Sequence, residues 1–145
     1  MILHALQHVA QAHGILVARL GVLLGAAVRA LDDHDLVVVH VEAADEAGHL
    51  GDAAEKVKAL ERIDEAIVGP LLEALRAQGP HRVFVAADHP TPVGTKTHDA
   101  TPPPFCFAGS GIAPNGGTRY TEAEARRTGL FVDPGHGLME RFFQA

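Results

Sequence analysis

The stretch that decides the fold is Leu36-Val37-Val38-Val39-His40-Val41, an almost unbroken run of apolar and mostly β-branched residues. It is too short for a helix, and its composition predicts a strand that is buried on both faces. His40 would then be a hydrogen-bonded histidine of the core. Polar residues begin immediately afterwards, at Glu42, and mark the carboxyl end of the predicted strand.

A second buried strand is predicted at 82–87, and the segment between the two strands has helical periodicity. Its apolar stripe consists of Val57, Leu60, Ile63, Ile67, Leu71 and Leu75. Asp52 is placed to cap this helix, and Gly69-Pro70 should kink it. Strand, helix and strand in this order form a βαβ unit with parallel strands. The predicted fold class is therefore α/β, with a mostly parallel sheet flanked by helices.

The other segments are predicted to be shorter elements around this unit. Apolar residues at helical spacing, from Leu3 to Ala10 and from Leu20 to Leu31, predict two pieces of an N-terminal helical segment at 1–33. An α/β domain would follow at 34–145. Its later elements are predicted as a short strand at 105–107 with Cys106 buried, a helix between Thr121 and Gly129, a fourth strand at 130–132, and a closing helix at 137–143.

The composition excludes several classes of protein. The chain has 145 residues, 47% of them hydrophobic, which suffices for one domain with a core, and its net charge is −6. No block of Lys and Arg indicates nucleic acid, and the longest apolar stretch, at 20–28, is too short to span a membrane. A single cysteine excludes an internal disulfide, and the first residues show no secretory signal. We therefore expect a soluble, cytoplasmic protein that binds neither nucleic acid nor membrane.

Residues that can bind metal follow the two predicted strands. Asp45 and His49 come after the first strand, whereas Asp88, His89 and then His98 come after the second. In an open parallel sheet, ligands gather beyond the carboxyl ends of the strands, so these side chains are predicted to share one edge. Asp45 and His49 are four residues apart, which would aim both at one point on a helix.

Carboxylates combined with imidazoles suit zinc, manganese or cobalt better than calcium or magnesium. Each motif alone also fits an ordinary role, because Asp45 could cap a helix, His49 could lie at the surface and Asp88-His89 could form a turn. Their joint position after two strands favours a metal site in the domain at 34–145.

The segment from His40 to His49, HVEAADEAGH, resembles a signature of the cofactor-independent phosphoglycerate mutases of the archaeal type, in the alkaline phosphatase superfamily. DHPTPV at 88–93, with Thr97-His98, is similar to the next metal motif of that family, and the tail at 128–140 is a weaker match. The resemblance implies the C-terminal half of an alkaline-phosphatase-like core. It also implies an isomerase of glycolysis that interconverts 3-phosphoglycerate and 2-phosphoglycerate.

The resemblance further implies two divalent metal ions, manganese or zinc, with cobalt or magnesium as further options. One ion would be held by Asp45, His49 and His98, and the other would be held in part by Asp88 and His89. In the family, an upstream serine takes the phosphoryl group from one hydroxyl of the substrate and returns it to the other. The single serine of this chain is Ser110, which follows both metal motifs and does not match that nucleophile.

We therefore expect no catalytic nucleophile in these residues and no mutase activity from the isolated chain. A complementing chain or a homodimer would be the partner, and the ligand would be a small phosphorylated substrate whose contacts the sequence does not assign. Two alternatives stay open. One is a metal-dependent phosphate-ester hydrolase that uses activated water, and the other is a non-catalytic metal-binding or assembly module.

Overall fold

The computed structural model describes residues 2–5 and 13–144, with side chains from Leu20 to Gln144. In chain order, the described elements are β1 (Ile2–Ala5), α1 (His13–Ala30), β2 (Val38–Val41), α2 (Ala43–Leu50), α3 (Ala53–Ile63), a π-helical turn (Asp64–Val68), α4 (Gly69–Gln78), β3 (Arg82–Ala86), β4 (Phe105–Gly109), α5 (Glu122–Thr128) and α6 (Gly137–Gln144). They form two compact units, one from Met1–Gln78 with Thr91–Asp99, the other from Gly79–Pro90 with Ala100–Ala145. No helix in the described part of the chain could cross a membrane.

The first unit begins with a strand where helical spacing predicted a helix. β1 pairs in parallel with β2, so that Ile2 lies opposite Val38. The helix prediction was wrong for residues 2–5, because pairing with a neighbouring strand outweighs a weak local preference in so short a segment. The rest of that predicted piece, at 6–12, lies outside the described residues.

α1 confirms the second predicted helical piece and continues through three glycines without a break. Its inner face is buried and comprises Leu20, Leu23, Ala27 and Ala30. Leu20 and Leu23 form the core of the first unit together with Ile67, and Val39 and Val41 of β2 pack against them. Burial of this apolar face stabilises the helix despite its glycines.

β2 is only half-buried, although its composition predicted a strand covered on both faces. Val39 and Val41 share the face that meets the core, whereas Val38 on the opposite face is 39% exposed. The His40 side chain is 38% exposed, and its Nδ1 atom lies 3.9 Å from Oε1 of Glu42. The prediction of a core histidine was therefore wrong, because the described core side chains cover one face of this strand and not the other.

The two strands of the predicted βαβ unit exist, but the described residues do not pair them with each other. β2 pairs in parallel with β1, whereas β3 pairs antiparallel with β4 and places Phe84 opposite Phe107. The predicted mostly parallel sheet is thus one parallel and one antiparallel pair. Local sequence predicts that a segment is a strand, whereas its partner depends on contacts distant in the chain.

The helical stretch predicted at 53–77 forms α3, the π-helical turn and α4 in direct succession. In the π-helical turn, the Gly69 N–H donates to the carbonyl oxygen of Asp64, five residues back. Pro70 follows, and it lacks an N–H while its ring crowds the preceding turn. A widened turn accommodates these constraints at the position where the sequence predicted a kink.

The start of α3 provides a test of the predicted cap. Asp52 accepts a hydrogen bond of 2.9 Å from the backbone N–H of Glu55. Replacing Asp52 with alanine is expected to lower the free energy of unfolding by about 1 kcal/mol, because this N–H loses its acceptor. Asparagine caps helices about as well, so Asp52→Asn should keep most of the stability. Urea denaturation measures both effects, and equal losses in the two variants would contradict the capping role.

The second unit is built around an aromatic cluster that joins β3 and β4 to α6. The ring centroid of Phe107 lies 4.9 Å from that of Phe84 and 5.3 Å from that of Phe142. Arg82 reinforces the contact, since its guanidinium donates to the backbone carbonyls of Phe142 and Phe143 at 3.0 and 2.9 Å. The closing helix predicted at 137–143 is thereby confirmed and anchored to the strand pair.

β4 extends the short strand predicted at 105–107 by two residues. Side chains alternate along a strand, so Phe105 and Phe107 share one face while Cys106 points to the other. Cys106 is exposed. The prediction that it is buried was therefore wrong, because the aromatic cluster covers only the face that carries the two phenylalanines.

α5 begins and ends as predicted. The Glu124 N–H donates to the Thr121 hydroxyl at 3.2 Å, and Gly129 ends the helix with a φ of 69°. Hydrogen bonds from the Arg127 side chain to the Glu124 carboxylate lower the pKa of Glu124 to about 2 and raise the pKa of Arg127. The fourth strand predicted at 130–132 was wrong, because this three-residue segment pairs with no described strand.

Candidate metal centre

Asp45 and His49 lie on one face of α2, one helical turn apart, as their spacing predicted. The Nε2 atom of His49 is 3.4 Å from Oδ2 of Asp45. α2 starts directly after β2 and ends at Gly51, whose φ of 76° is in the left-handed region that favours glycine. The two side chains are therefore held just beyond the carboxyl end of β2.

His98 joins this pair from a loop of the same compact unit. Its Nε2 atom lies 3.1 Å from Nε2 of His49 and 3.7 Å from Oδ1 of Asp45. The loop turns back at Lys96, whose N–H donates to the Pro92 carbonyl at 2.9 Å. Within this unit the fold thus brings together three predicted ligands, which we call the Asp45 triad (Asp45, His49 and His98).

One hydrogen bond determines which tautomer the neutral ring of His49 adopts. Its Nδ1 atom lies 3.0 Å from the carbonyl oxygen of Lys96, which can only accept. In the neutral imidazole Nδ1 therefore carries the proton, and Nε2 has a lone pair directed toward Asp45 and His98. This is the tautomer that binds metal through Nε2, and a carbonyl partner is typical of metal-ligating histidines.

The spacing of donor atoms in the Asp45 triad fits a transition-metal ion. With metal–nitrogen bonds of about 2.0–2.1 Å, ligand atoms of a tetrahedral zinc site lie about 3.3 Å apart. The three distances in the triad, 3.1, 3.4 and 3.7 Å, lie around that value. The side chains are 34% to 54% exposed, so a further coordination position would be accessible to water or substrate, as in catalytic sites.

Asp88 and His89 follow β3, as predicted, and belong to the second compact unit. The Nε2 atom of His89 lies 3.4 Å from Oδ2 of Asp88, and the His89 backbone N–H donates to Oδ1 at 3.1 Å. The Asp88 side chain is 68% exposed. A carboxylate and an imidazole at this spacing can contribute two ligands to one ion.

Two residues at the triad were not assigned a role from the sequence. Thr91 is buried, with 3% exposure, and its hydroxyl donates to Oδ1 of Asp45. Lys96 contributes only its backbone carbonyl, so its side-chain type carried no signal. Thr91 stands between two prolines in the motif that starts at Asp88, and this position in the sequence could have indicated a role for its hydroxyl.

Ser110 has a structural role at the end of the β3–β4 pair. Its hydroxyl accepts the N–H of His81 at 3.1 Å, and its own N–H donates to the His81 carbonyl at 2.8 Å. Its carbonyl accepts from the Arg82 side chain, also at 2.8 Å. These three bonds hold Ser110 against His81 and Arg82 at the end of the strand pair.

The fold and the candidate metal centre agree with the comparison to known families. The chain belongs to the Metalloenzyme superfamily, which matches residues 22–142 and so includes all five predicted ligands. This match confirms the α/β class and the expectation of a metal-binding protein.

Similar relatives carry a more particular name. The chain is 44% identical over 116 residues to the probable 2,3-bisphosphoglycerate-independent phosphoglycerate mutase of Geobacter sulfurreducens, covering 79% of this chain and 29% of the relative. It is 45% identical over 114 residues to 2,3-bisphosphoglycerate-independent phosphoglycerate mutase 2 of Methanothermobacter thermautotrophicus, covering 79% and 28%. These relatives confirm the resemblance carried by the two metal motifs, and the chain spans less than a third of their length.

A solved structure has the same fold. The PH0037 protein from Pyrococcus horikoshii matches with a TM-score of 0.80 and 28% identity. The match covers 86% of this chain and 37% of that one. The fold therefore also occurs as part of a longer chain.

Proposed function

We propose that this chain is the metal-binding part of a cofactor-independent phosphoglycerate mutase, which interconverts 3-phosphoglycerate and 2-phosphoglycerate in glycolysis. The observation that carries the proposal is the Asp45 triad, in which two imidazoles and a carboxylate converge within 3.7 Å. The names of the relatives support the same reaction. The proposal places the protein in the cytoplasm, with its phosphorylated substrates.

Each predicted ligand has a role in this proposal. Asp45, His49 and His98 would hold one divalent ion, and Asp88 and His89 would contribute to a second. Manganese or zinc suits these donors, with cobalt or magnesium as alternatives. When bound, such ions neutralise charge on a transferring phosphoryl group and lower the pKa of a nucleophile.

The nucleophile of the proposed reaction would lie outside these 145 residues, because the single serine, Ser110, bonds to the His81 backbone. A complementing chain would supply it. A homodimer is the alternative association, but a second copy carries only the same single serine and adds no nucleophile. Apolar side chains exposed in the first unit support such an association: they include Val38, Leu50, Val57 and Leu60. Val57 and Leu60 belong to the predicted apolar stripe of the helical stretch, and at these two positions the described residues leave the stripe half-exposed.

An assay of phosphoglycerate interconversion in the presence of Mn²⁺ tests the proposal. The isolated chain is expected to show background activity only. Adding the separately produced remainder of a relative, which contains the nucleophile, is expected to give Mn²⁺-dependent activity that His49→Ala abolishes. Enzyme-like activity of the isolated chain, or activity of the mixture that survives His49→Ala, would contradict it.

The exposure of the Asp45 triad favours a second candidate, a metal-dependent hydrolase of phosphate esters. Water would reach an ion held by side chains that are 34% to 54% exposed, and activated water could attack an ester without a serine. Phosphate release from p-nitrophenyl phosphate that is lost in His49→Ala would favour this candidate. Metal binding without either activity would favour a non-catalytic module.

A further inference from the structure

Thr91 is the one buried polar residue among those whose side chains the structure describes, and it contacts a predicted metal ligand. Its hydroxyl donates a hydrogen bond to Oδ1 of Asp45. The other carboxylate oxygen, Oδ2, lies 3.4 Å from Nε2 of His49. The hydroxyl therefore binds the carboxylate oxygen that also lies 3.7 Å from Nε2 of His98, while the other oxygen faces His49.

The backbone of Thr91 is held from two helices of the same unit. Lys56 of α3 donates from its ammonium group to the Thr91 carbonyl at 2.6 Å. On α2, a Cβ atom at Gly48 would overlap the same carbonyl oxygen, so only glycine permits this close approach. Because Gly48 lies between Asp45 and His49 on α2, the Thr91 backbone has a defined position relative to both ligands.

We propose that Thr91 is a positioning residue for the metal centre, which fixes the orientation of the Asp45 carboxylate through its hydroxyl. A partly exposed aspartate such as Asp45 samples several rotamers, and ordering it costs free energy when an ion binds. A hydrogen bond from a buried, anchored hydroxyl removes much of that freedom before binding. The inference rests on the proposed ion site, since it assigns to Thr91 the orientation of one of its ligands.

A purely structural role for Thr91 makes a different prediction. Valine has nearly the shape of threonine but no hydroxyl, so Thr91→Val keeps the packing and removes the bond to Asp45. If the side chain only fills space, this variant should bind metal like the wild type. Thr91→Ser is the matched control, because it keeps the hydroxyl and removes a methyl group.

Calorimetric titration with Zn²⁺ and the visible spectrum of the Co²⁺-loaded protein distinguish the two roles. We expect Thr91→Val to bind Zn²⁺ about tenfold more weakly, as with other partners that orient metal ligands. The Co²⁺ absorption bands should change, because they report ligand geometry, whereas Thr91→Ser should restore both properties. The melting temperature of the metal-free protein should not fall in Thr91→Val.

The outcomes separate this inference from the proposed function. Wild-type protein that binds no stoichiometric Zn²⁺ would overturn the ion site and the positioning role with it. Wild-type binding that Thr91→Val leaves unchanged, with the same Co²⁺ spectrum, would overturn the positioning role alone.

Should Thr91→Val fail to fold, Lys56→Met tests the anchor of the Thr91 backbone. We expect this variant to weaken Zn²⁺ binding severalfold, and an unchanged affinity would contradict the inference.

Discussion

Replacing Asp45 and His49 together with alanine is expected to abolish stoichiometric binding of Mn²⁺ or Zn²⁺ by the Asp45 triad, with a loss of affinity of at least about 100-fold. Two of its three donor side chains are then absent, and His98 alone offers one imidazole. A single imidazole does not bind such ions tightly in water, because the usual sites need three or four protein ligands. Calorimetric titration and elemental analysis of the dialysed protein measure the loss.

The same unit offers a matched control for this variant. Asp32 and His34 are exposed and contribute the same two residue types. His34 bonds to the Ala30 carbonyl at 3.1 Å and lies next to the end of α1. Asp32→Ala with His34→Ala should leave metal binding intact. Equal binding by the two double variants would show that the Asp45 triad does not hold the ion.

Truncating Phe142 to alanine is expected to destabilise the second compact unit by about 3–5 kcal/mol, the usual cost of removing a buried aromatic ring. Phe142 is 6% exposed, and its ring centroid lies 5.8 Å from that of Phe84 and 5.3 Å from that of Phe107. The substitution leaves a cavity in the cluster that joins α6 to the strand pair. Such a loss is a large part of the stability of a small domain.

Phe143 provides the comparison for this prediction. Its side chain is 57% exposed, and the backbone carbonyls of both phenylalanines accept bonds from Arg82, which neither substitution removes. Phe143→Ala should cost less than about 1 kcal/mol, as is usual for exposed positions. Urea denaturation of the two variants gives the difference, and similar losses would place the core of this unit elsewhere.

Those parts of the metal centre that depend on neighbouring residues could be predicted from the sequence. The four-residue spacing of Asp45 and His49 on a helix determines that their side chains share a face. The positions of Asp88 and His89 after a strand followed from the same kind of local reading. The tautomer of His49 could not be predicted, because it depends on the Lys96 carbonyl, which is 47 residues away.

Strand partners and burial were likewise decided by contacts distant in the chain, whereas the strand segments themselves could be predicted from local sequence. The run ending at Val41 and the segment from Arg82 are strands because of their β-branched and apolar residues, whereas their observed partners, β1 and β4, depend on pairing across the fold. Cys106 was predicted to be buried from its apolar neighbours, but only the packed structure shows which face of β4 the aromatic cluster covers.

By itself, the sequence determined the helix and strand segments after residue 12 in outline, the caps at Asp52 and Thr121, and the residue types able to bind metal. All of these depend on residues within about one or two helical turns, where backbone geometry alone sets the spacing. Only the tertiary structure decided that His98 joins Asp45 and that a buried Thr91 bonds to the same carboxylate. Those contacts close loops of more than 40 residues, which costs conformational entropy. Packing of the whole unit offsets this cost, and a local sequence pattern does not predict that packing.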